Sequence, residues 1–501
     1  MPFIDASQAE SPLVVALDVG TSSTRAILFD SRARQVREME ASVSYSLQET
    51  PDGGVELMAD SLFEASVCCL DDLYKKIASR VEEVQAVATC TFWHSLVGVD
   101  AEGRAITPVF LWADVRSRNA AAGLRQDRDE REYHRRTGCM FHHSYLPAKF
   151  LWLQESQPEF LDRASQWMSF GEYLHARFLG YSLSSISMAS ATGLFNQHTQ
   201  QWDEEILRHL PVDRSRLSEL GDFDSEMPAL AAEYGKRWPK WGKVRWIPAL
   251  GDGATSNLGS GCVTQNELAL MVGTSGAMRV CWETRTFEIR PGLWCYRADR
   301  NRIVMGGALS NGGILFSWLR ETFRLPPADQ LESLLAQMQP DSHGLTVLPF
   351  LLGERSPEWA DHARGAIVGL TLQTTPLQIL RACLEAVACR FALIQELLRE
   401  VVAKDARIVA TGGALMASDV WKQIMADVLG RPIVASEERE ASSRGATLLA
   451  LRALGVVSGL QELPAATGKV FQPDVRRSEI YREAIERQRE LFRKIISDRR
   501  S

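Results

Sequence analysis

The sequence predicts an α/β protein made of two related domains, and three observations support this. Between Leu13 and Asp30 two apolar runs flank a turn of small hydroxylated residues, a pattern typical of a β-hairpin with a polar tip. A similar turn after an apolar run recurs about halfway along the chain, between Leu268 and Val280. At 501 residues, the chain is also longer than one hydrophobic core usually serves. We therefore expect two domains, residues 1–248 and residues 249–501.

The first turn carries groups that suit a phosphate. Gly20 can adopt backbone angles that are closed to other residues, and consecutive amide N–H groups around such a turn form a concavity that attracts anionic oxygens. Hydroxyl donors follow at Thr21, Ser22 and Ser23. Asp18 ends the preceding strand, where its carboxylate could hold a hydrated Mg²⁺ beside the phosphate. We predict a phosphate-binding turn with an adjacent metal residue.

Further strands and helices follow the hairpin. The hydrophobic pattern predicts a strand at 35–47, a helix at 59–77 and a short buried strand at 84–90. Ligands of open α/β sheets collect at the carboxyl ends of strands. Trp93 and His94 come directly after the last of these strands, so we predict that they contact the substrate.

The next informative segment places an aromatic ring, a carboxylate and a guanidinium at alternating positions, Trp112, Asp114 and Arg116. Alternate side chains of an extended segment share one face. A ring surface with an acceptor and a fork of donors suits a polyhydroxylated substrate, which predicts a substrate-binding role for all three. The alternative is a core tryptophan beside a structural Asp–Arg pair.

The second half repeats the arrangement of the first. Gly273-Thr-Ser-Gly276 is a second candidate for a phosphate-binding turn, and a later strand ends at Thr411-Gly-Gly-Ala414. An apolar stripe predicts a helix over residues 419–429, with Ser418 as its N-cap. We expect this helix to direct its N-terminus towards a nucleotide.

These stretches, together with Gly251-Asp-Gly253, resemble the phosphate, adenosine and catalytic motifs of the FGGY carbohydrate kinases. The resemblance extends from about Leu13 to about Leu454. It implies the actin-like, ribonuclease-H-like fold, with a cleft between two domains that binds ATP, Mg²⁺ and a sugar. Homodimers are common in this family, which is the reason to expect one here. Matching the motifs residue by residue assigns Asp18 and Asp252 to the metal and the following residues to the nucleotide: Gly20, Thr21, Ser22, Ser23, Gly273, Thr274, Ser275, Gly276, Gly412, Gly413, Ala414 and Ser418.

Asp252 is the predicted catalytic base. Transfer of a phosphoryl group to an alcohol needs positioned phosphates, a divalent cation and a carboxylate that accepts the hydroxyl proton. Asp252 matches the catalytic aspartate of the family. The glycines on either side of it remove steric bulk, so that a sugar and the γ-phosphate can approach the carboxylate together.

The substrate is expected to be D-gluconate, phosphorylated to 6-phosphogluconate. Four segments together resemble the gluconokinase branch: His94-Ser-Leu before an Asp-x-x-Gly turn, 112–116, 187–196 and 353–359. Xylulokinases share much of this pattern, including a histidine at the position of His94 and the Gly-Glu-Arg loop, so another pentulose or polyol remains the alternative. A gluconate carboxylate would need a cationic or amide-rich pocket, with Arg116, Lys149 and His94 as candidates to supply it.

Composition and missing motifs argue against other functions. A net charge of −7 and a pI near 5.8 give no electrostatic footprint for nucleic acid. No GxxxxGK[ST] motif occurs, which argues against a P-loop kinase, and Gly251-x-Gly-x-x-Ser256 lacks the third glycine of the dinucleotide fingerprint. An adjacent His142-His143 has no carboxylate or third histidine at helical spacing, so we interpret it as a polar loop.

The cellular context and the remaining alternatives follow from similar arguments. The nine cysteines form no CxxC pair, and no apolar run approaches the roughly 20 residues of a membrane helix. We therefore expect a cytoplasmic protein without disulfides or a membrane partner. Chaperone and filament ATPases share the implied fold, and a catalytically inactive sugar sensor is a third option. Asp252 between glycines and the Trp-x-Asp-x-Arg segment favour the kinase.

Overall fold

The computed structural model describes residues 2–496. The first half contains a six-stranded sheet with the spatial order β1-β4-β3-β2-β5-β6. Its strands are β1 (Phe3–Ile4), β2 (Leu13–Val19), β3 (Ser23–Phe29), β4 (Gln35–Ser44), β5 (Val84–Thr91) and β6 (Arg245–Gly251). The predicted hairpin is confirmed, because β2 and β3 pair antiparallel across the turn, and β5 and β6 continue the sheet as parallel strands.

The second half contains a seven-stranded sheet with the order β9-β10-β8-β7-β11-β12-β13. Its strands are β7 (Glu267–Val272), β8 (Gly276–Glu283), β9 (Trp294–Arg297), β10 (Arg302–Leu309), β11 (Arg407–Thr411), β12 (Ile433–Ser436) and β13 (Thr467–Phe471). Strands β7 and β8 form an antiparallel hairpin, and β11 and β12 add parallel strands beyond β7. Five consecutive strands of each sheet thus have the same order and directions, which confirms two related α/β halves.

Helices cover both sheets. In the first half they are α1 (Ala59–Lys76), α2 (Arg118–Asp127), α3 (Glu130–Thr137), α4 (Leu146–Ser156), α5 (Pro158–Arg163), α6 (Phe170–Leu179), α7 (Ile186–Ala189), α8 (Glu204–Leu207) and α9 (Ala232–Arg237). In the second half they are α10 (Asp252–Gly259), α11 (Gly313–Thr322), α12 (Ala328–Gln337), α13 (Pro376–Leu398), α14 (Gly413–Met416), α15 (Asp419–Leu429), α16 (Ala441–Ala453) and α17 (Val475–Ile495). The predicted helix at 419–429 is confirmed with its N-cap, since the Ser418 hydroxyl accepts a hydrogen bond from Trp421 N.

Short strands form five further small sheets. Four of them are two-stranded: Val97–Val99 with Gln166–Met168, Ser184–Ser185 with Leu220–Gly221, Phe195–Asn196 with Gln201–Trp202, and Thr346–Leu348 with Ala366–Val368. The fifth is three-stranded and contains Gln48–Glu49, Val55–Leu57 and Val109–Phe110.

Two helices join the halves of the chain. The first sheet packs against α1 and α6 on one face and against α10 and α16 on the other. Helix α16 belongs to the second half of the sequence, yet it lies on β2 and β5 of the first sheet. Helix α10 packs along α16 and also contacts β8 of the second sheet. The two halves are therefore interlocked rather than merely linked.

Strand β6 bears on the predicted domain division. It runs to Gly251 and pairs with β5 in the first sheet, so a division after residue 248 falls inside this strand. A division between the end of α10 at Gly259 and the start of β7 at Glu267 leaves both sheets intact.

Two further observations concern the state of the cysteines and the character of the helices. All nine cysteines are free thiols, and all except Cys68 are buried. Within residues 2–496, no helix combines the length and the apolar character that crossing a membrane requires.

Candidate active site

Loops at the ends of strands in both sheets line one cleft between the two halves, with a volume of about 460 Å³. Register explains why they meet, because Val19 and Gly251 both pair with Thr91, at the carboxyl ends of neighbouring parallel strands. The cleft brings together most of the predicted site residues: Gly20, Thr21, Ser22, Ser23, Trp93, His94, Trp112, Asp252, Gly273, Thr274, Ser275 and Gly276.

The two predicted phosphate turns differ in length, because the first is closed by a hydrogen bond from residue i to residue i+3 and the second by one from residue i to residue i+2. Neither Gly20 nor Gly273 has a positive φ, so the special backbone angles predicted for Gly20 are not used. Gly20 N donates to Ser23 O at 2.9 Å, and Gly273 N donates to Ser275 O at 2.9 Å. Four backbone amide groups at the tips of the two turns donate no hydrogen bond to any residue that the structure describes. They belong to Thr21, Ser22, Thr274 and Ser275. Unpaired amides at the tips of two turns facing one cleft form the kind of concavity that binds anionic oxygens.

The third glycine motif lies beside the second turn, outside the residues that line the cleft. Gly412 has a φ of +89°, which a glycine adopts without strain, and a Cβ there would lie 2.5 Å from Val272 O. A Cβ on Gly313, whose amide donates to Gly273 O at 2.7 Å, would lie 2.6 Å from the Cβ of Ala414. This close backbone packing explains the need for glycine, while an adenosine contact by Gly412, Gly413, Ala414 or Ser418 stays a prediction.

Asp18 and Asp252 form the acidic centre of the site. Asp18, near the end of β2, is 5% exposed, and burial raises the pKa of its carboxyl. Asp252 is the first residue of α10, and burial together with the nearby Asp18 charge raises its pKa to about 6. Arg25, which sequence analysis did not single out, links this centre to the second half: its Nη2 lies 3.2 Å from Asp18 Oδ2 and its Nη1 2.6 Å from Glu440 Oε2.

The glycines flanking Asp252 are required by a tryptophan. A Cβ at Gly251 would lie 1.8 Å from Trp93 Nε1, and a Cβ at Gly253 would lie 2.3 Å from Trp93 Cζ3. The indole is fixed by a hydrogen bond from its Nε1 to Ser187 O at 2.9 Å. The absence of side chains at Gly251 and Gly253 leaves room for this ring. The sequence alone did not reveal this reason for the two glycines.

His94 presents a hydrogen-bond acceptor to the cleft. Its Nδ1 lies 2.6 Å from Ala191 O, and because a carbonyl only accepts, Nδ1 carries the proton. Burial lowers the pKa of His94 to about 3, so the ring is neutral and Nε2 is free to accept. The backbone has a φ of +62°, which is uncommon for a residue other than glycine and is often retained at functional sites.

His94→Asn is expected to raise the KM for the sugar about five- to tenfold, the usual worth of one hydrogen bond. Asparagine tolerates the positive φ, and its amide N–H can keep the bond to Ala191 O, so mainly the Nε2 acceptor is lost. Steady-state kinetics with varied sugar check this. His209→Asn, at an exposed histidine, is the control. An unchanged KM in His94→Asn would contradict the assignment.

The segment from Trp112 to Arg116 differs from the prediction. It forms turns rather than an extended strand, so its alternate side chains do not share one face. Trp112 lines the cleft. Asp114 and Arg116 pair with each other at 2.6 Å, and Arg116 Nη2 also lies 2.7 Å from Glu56 Oε2. The structural Asp–Arg pair, given above as the alternative, is what the geometry contains, and neither residue is among those that line the cleft.

Sequence analysis missed a second set of cleft residues. Aromatic side chains form much of the wall near Trp93: Tyr145, Trp294, Tyr296 and Trp359. Arg279 and Arg355 add two guanidinium groups. Both arginines occur in segments quoted above, after the second phosphate turn and in the Gly-Glu-Arg loop. No local pattern distinguishes an arginine that faces a cleft from one that pairs with a carboxylate.

His142 and His143 lie in a loop, as predicted, but they are buried, and folding brings Asp361 to them. Possible ligand atoms of the three residues lie within 4.8 Å of one another. Asp361 already pairs with Arg125 at 3.2 Å, and burial holds the pKa of both imidazoles well below the usual range. Because Arg125 already pairs with the only carboxylate of this three-residue cluster, the cluster is poorly suited to a metal cation.

Comparison with known proteins identifies the family. Residues 13–259 match the model of the FGGY family of carbohydrate kinases, N-terminal domain, and residues 268–454 match the model of its C-terminal domain. The chain belongs to the FGGY family of carbohydrate kinases. It is therefore a phosphotransferase that uses a carbohydrate hydroxyl as acceptor, and its two sheets are the two halves of the actin-like, ribonuclease-H-like fold. The family models meet between residues 259 and 268, where a division of this FGGY kinase leaves both sheets intact.

Relatives of this kinase act on several substrates. A gluconokinase of Bacillus subtilis is 29% identical over 476 residues, covering 92% of this chain and 91% of the relative. The structure of a gluconate kinase from Lactobacillus acidophilus superposes with a TM-score of 0.89 at 29% identity, covering 97% and 98% of the two chains. A xylulose kinase structure from the same organism gives a TM-score of 0.90 at 28% identity, covering 96% and 98%.

Proposed function

We propose that this kinase transfers the γ-phosphoryl group of ATP to D-gluconate, giving 6-phosphogluconate, with Asp252 as the general base. The observation that carries the proposal is the position of Asp252. It lies in one cleft with two turns whose amide groups are free to bind phosphate and with an aromatic wall that suits the C–H faces of a sugar chain.

The residues near the phosphate turns fit ATP and Mg²⁺. Asp18 and Asp252 offer only oxygen donors, which Mg²⁺ prefers. The Asp18 charge raises the pKa of Asp252, and a divalent cation would relieve this repulsion. When bound, the ion neutralises charge on the phosphates. The two amide-lined turns would hold phosphate oxygens, and Arg25 lies beside the first of them.

Asp252 would accept the proton of the attacking hydroxyl. Its raised pKa, about 6, lies near the operating pH, where a carboxylate is both ionised and basic enough to take a proton. The carboxylate is fixed in place, because its Oδ1 accepts a hydrogen bond from Gly253 N at 2.7 Å. His94 Nε2 would accept from a second hydroxyl and so orient the sugar.

The choice of gluconate rests on similarity and on charge. Gluconokinase and gluconate kinase are among the similar proteins, with xylulose kinase close behind. Arg355, which forms no ion pair within residues 2–496, favours an acidic substrate. A neutral pentulose such as xylulose is the second candidate, because the polar and aromatic wall would serve it equally well.

An assay of sugar-dependent ADP release with Mg·ATP tests the proposal. The panel contains gluconate, xylulose, ribulose, glycerol, fuculose and rhamnulose. We expect turnover with gluconate to exceed turnover with every uncharged sugar. A preference for xylulose would transfer the assignment to the pentulose kinases, and ATP hydrolysis independent of any sugar would favour an ATPase switch instead.

A further inference from the structure

Arg355 is a cation in the cleft to which residues 2–496 offer no hydrogen-bond acceptor and no ion-pair partner. Its guanidinium lies over the ring of Trp112, 5.3 Å from the centroid. Among residues 2–496 it forms no ion pair and donates no hydrogen bond, and its Nε is buried with no acceptor. Burial also lowers the pKa of this guanidinium from its usual value. Arg355 is partly exposed to the cleft, but a charge withdrawn in part from water is normally paired. Its lack of an acceptor within residues 2–496 indicates a missing anionic partner.

We infer that Arg355, stacked on Trp112, binds the carboxylate of a sugar-acid substrate. The inference rests on the proposed function, because it names the residue that recognises the acid in the same cleft. A guanidinium fork matches the two oxygens of a carboxylate. This is a contact that a hydroxyl can replace only in part.

The cations that the sequence suggested for this task are otherwise engaged. Arg116 is held by two carboxylates, as described above. Lys149 is buried and its Nζ donates to Leu111 O at 2.8 Å. His94 is neutral, because burial lowers its pKa to about 3. Arg355 is left as the unpaired cation of the cleft wall near the aromatic residues.

The loop that carries Arg355 is held rigidly. The carboxylate of the preceding residue, Glu354, lies 2.7 Å from Arg390 Nη2 and accepts from Ala360 N at 3.1 Å. Asn311 Nδ2 donates to Gly353 O at 2.9 Å. Because Glu354 is turned towards Arg390, the neighbouring acid does not neutralise Arg355. The guanidinium is thus positioned before any ligand arrives, which lowers the entropic cost of binding.

Arg355 and Asp252 both line the cleft, and aromatic residues connect them along its wall. The ring of Trp93 lies against Gly253, the neighbour of Asp252, and 5.0 Å from the ring of Tyr296. Tyr296 is close enough to interact electrostatically with Arg355. Arg279 is at the Asp252 end instead, since its Nη1 donates to Gly253 O at 3.0 Å. A substrate with its acid group at one end and its reacting hydroxyl at the other end could contact both residues along this wall.

The test compares gluconate with glucitol, which has the same number of carbons but no carboxylate. For the wild type, Arg355→Met and Arg355→Lys, kcat/KM is measured with both compounds, and binding of each is measured by calorimetry without nucleotide. We expect Arg355→Met to lower kcat/KM and affinity for gluconate on the order of 10²-fold while changing those for glucitol less than about threefold. Arg355→Lys keeps the charge without the fork and should fall between.

The controls separate this inference from the proposed function. Arg208→Met removes an exposed arginine and should leave all values unchanged, and thermal unfolding with ATP binding verifies that each variant is folded. If wild type phosphorylates gluconate and Arg355→Met does so equally well, the inference fails while the proposed function stands. If Arg355→Met weakens gluconate and glucitol alike, Arg355 binds a hydroxyl and the inference fails. If the wild type prefers gluconate to glucitol neither in kcat/KM nor in binding, both the inference and the proposed function fail.

Discussion

Asp252→Asn is expected to lower kcat by about 10²–10⁴-fold, the usual contribution of a general base, while the affinity for ATP stays close to that of the wild type. The amide has the size of the carboxylate, and its oxygen can still accept from Gly253 N, so the loss is mainly that of the proton acceptor. Initial rates of ADP release measure kcat, and calorimetry measures nucleotide binding.

Asp222→Asn is the matched control for this experiment. Asp222 is also buried, and burial near Asp299 raises its pKa to about 7, but it accepts a backbone hydrogen bond from Arg300 N at 2.8 Å and does not line the cleft. Its replacement should leave turnover nearly unchanged. Wild-type turnover in Asp252→Asn would rule out the base. An equal loss in Asp222→Asn would show that removal of a buried carboxylate acts through stability rather than chemistry.

Gly445→Ala is expected to lower the free energy of unfolding by about 1–3 kcal/mol or more, the usual cost of overpacking. A Cβ there would lie 1.8 Å from Thr255 O, where α16 crosses α10, and a backbone atom cannot rotate away as a side chain can. Gly259 makes a similar approach to Ala441 O at the same crossing. Because α10 begins at Asp252, separating the helices should also lower kcat. Urea unfolding and initial rates measure the two effects.

Gly123→Ala is the control, because no neighbouring atom would contact a side-chain Cβ at this position. Gly123 lies within α2, and a Cβ there meets no atom within 4 Å. Alanine should stabilise the protein by about 0.5–1 kcal/mol, because glycine is the poorer helix former. If Gly445→Ala proved as stable as Gly123→Ala, the close packing of α10 on α16 would not be what these glycines serve.

The sequence by itself determined the local elements and the motif residues of this kinase. The hairpin from Leu13 and the helix at 419–429 with its Ser418 cap follow from signals within a few residues. Hydrophobic period and capping side chains are local physical requirements. The recurrence of the hairpin was also sufficient to predict two related halves, which the equal strand order confirms.

Tertiary structure decided which polar groups are free and what each glycine accommodates. Arg116 pairs with Asp114 and with Glu56, 60 residues away, whereas Arg355 finds no carboxylate within residues 2–496. Arg25 meets Glu440 across 415 residues, and α16 returns to the first sheet. Ion pairing and desolvation depend on distances set by the whole fold, and local sequence carries no record of them. For that reason the chemistry of the motifs could be predicted, but the unpaired guanidinium at the cleft wall could not.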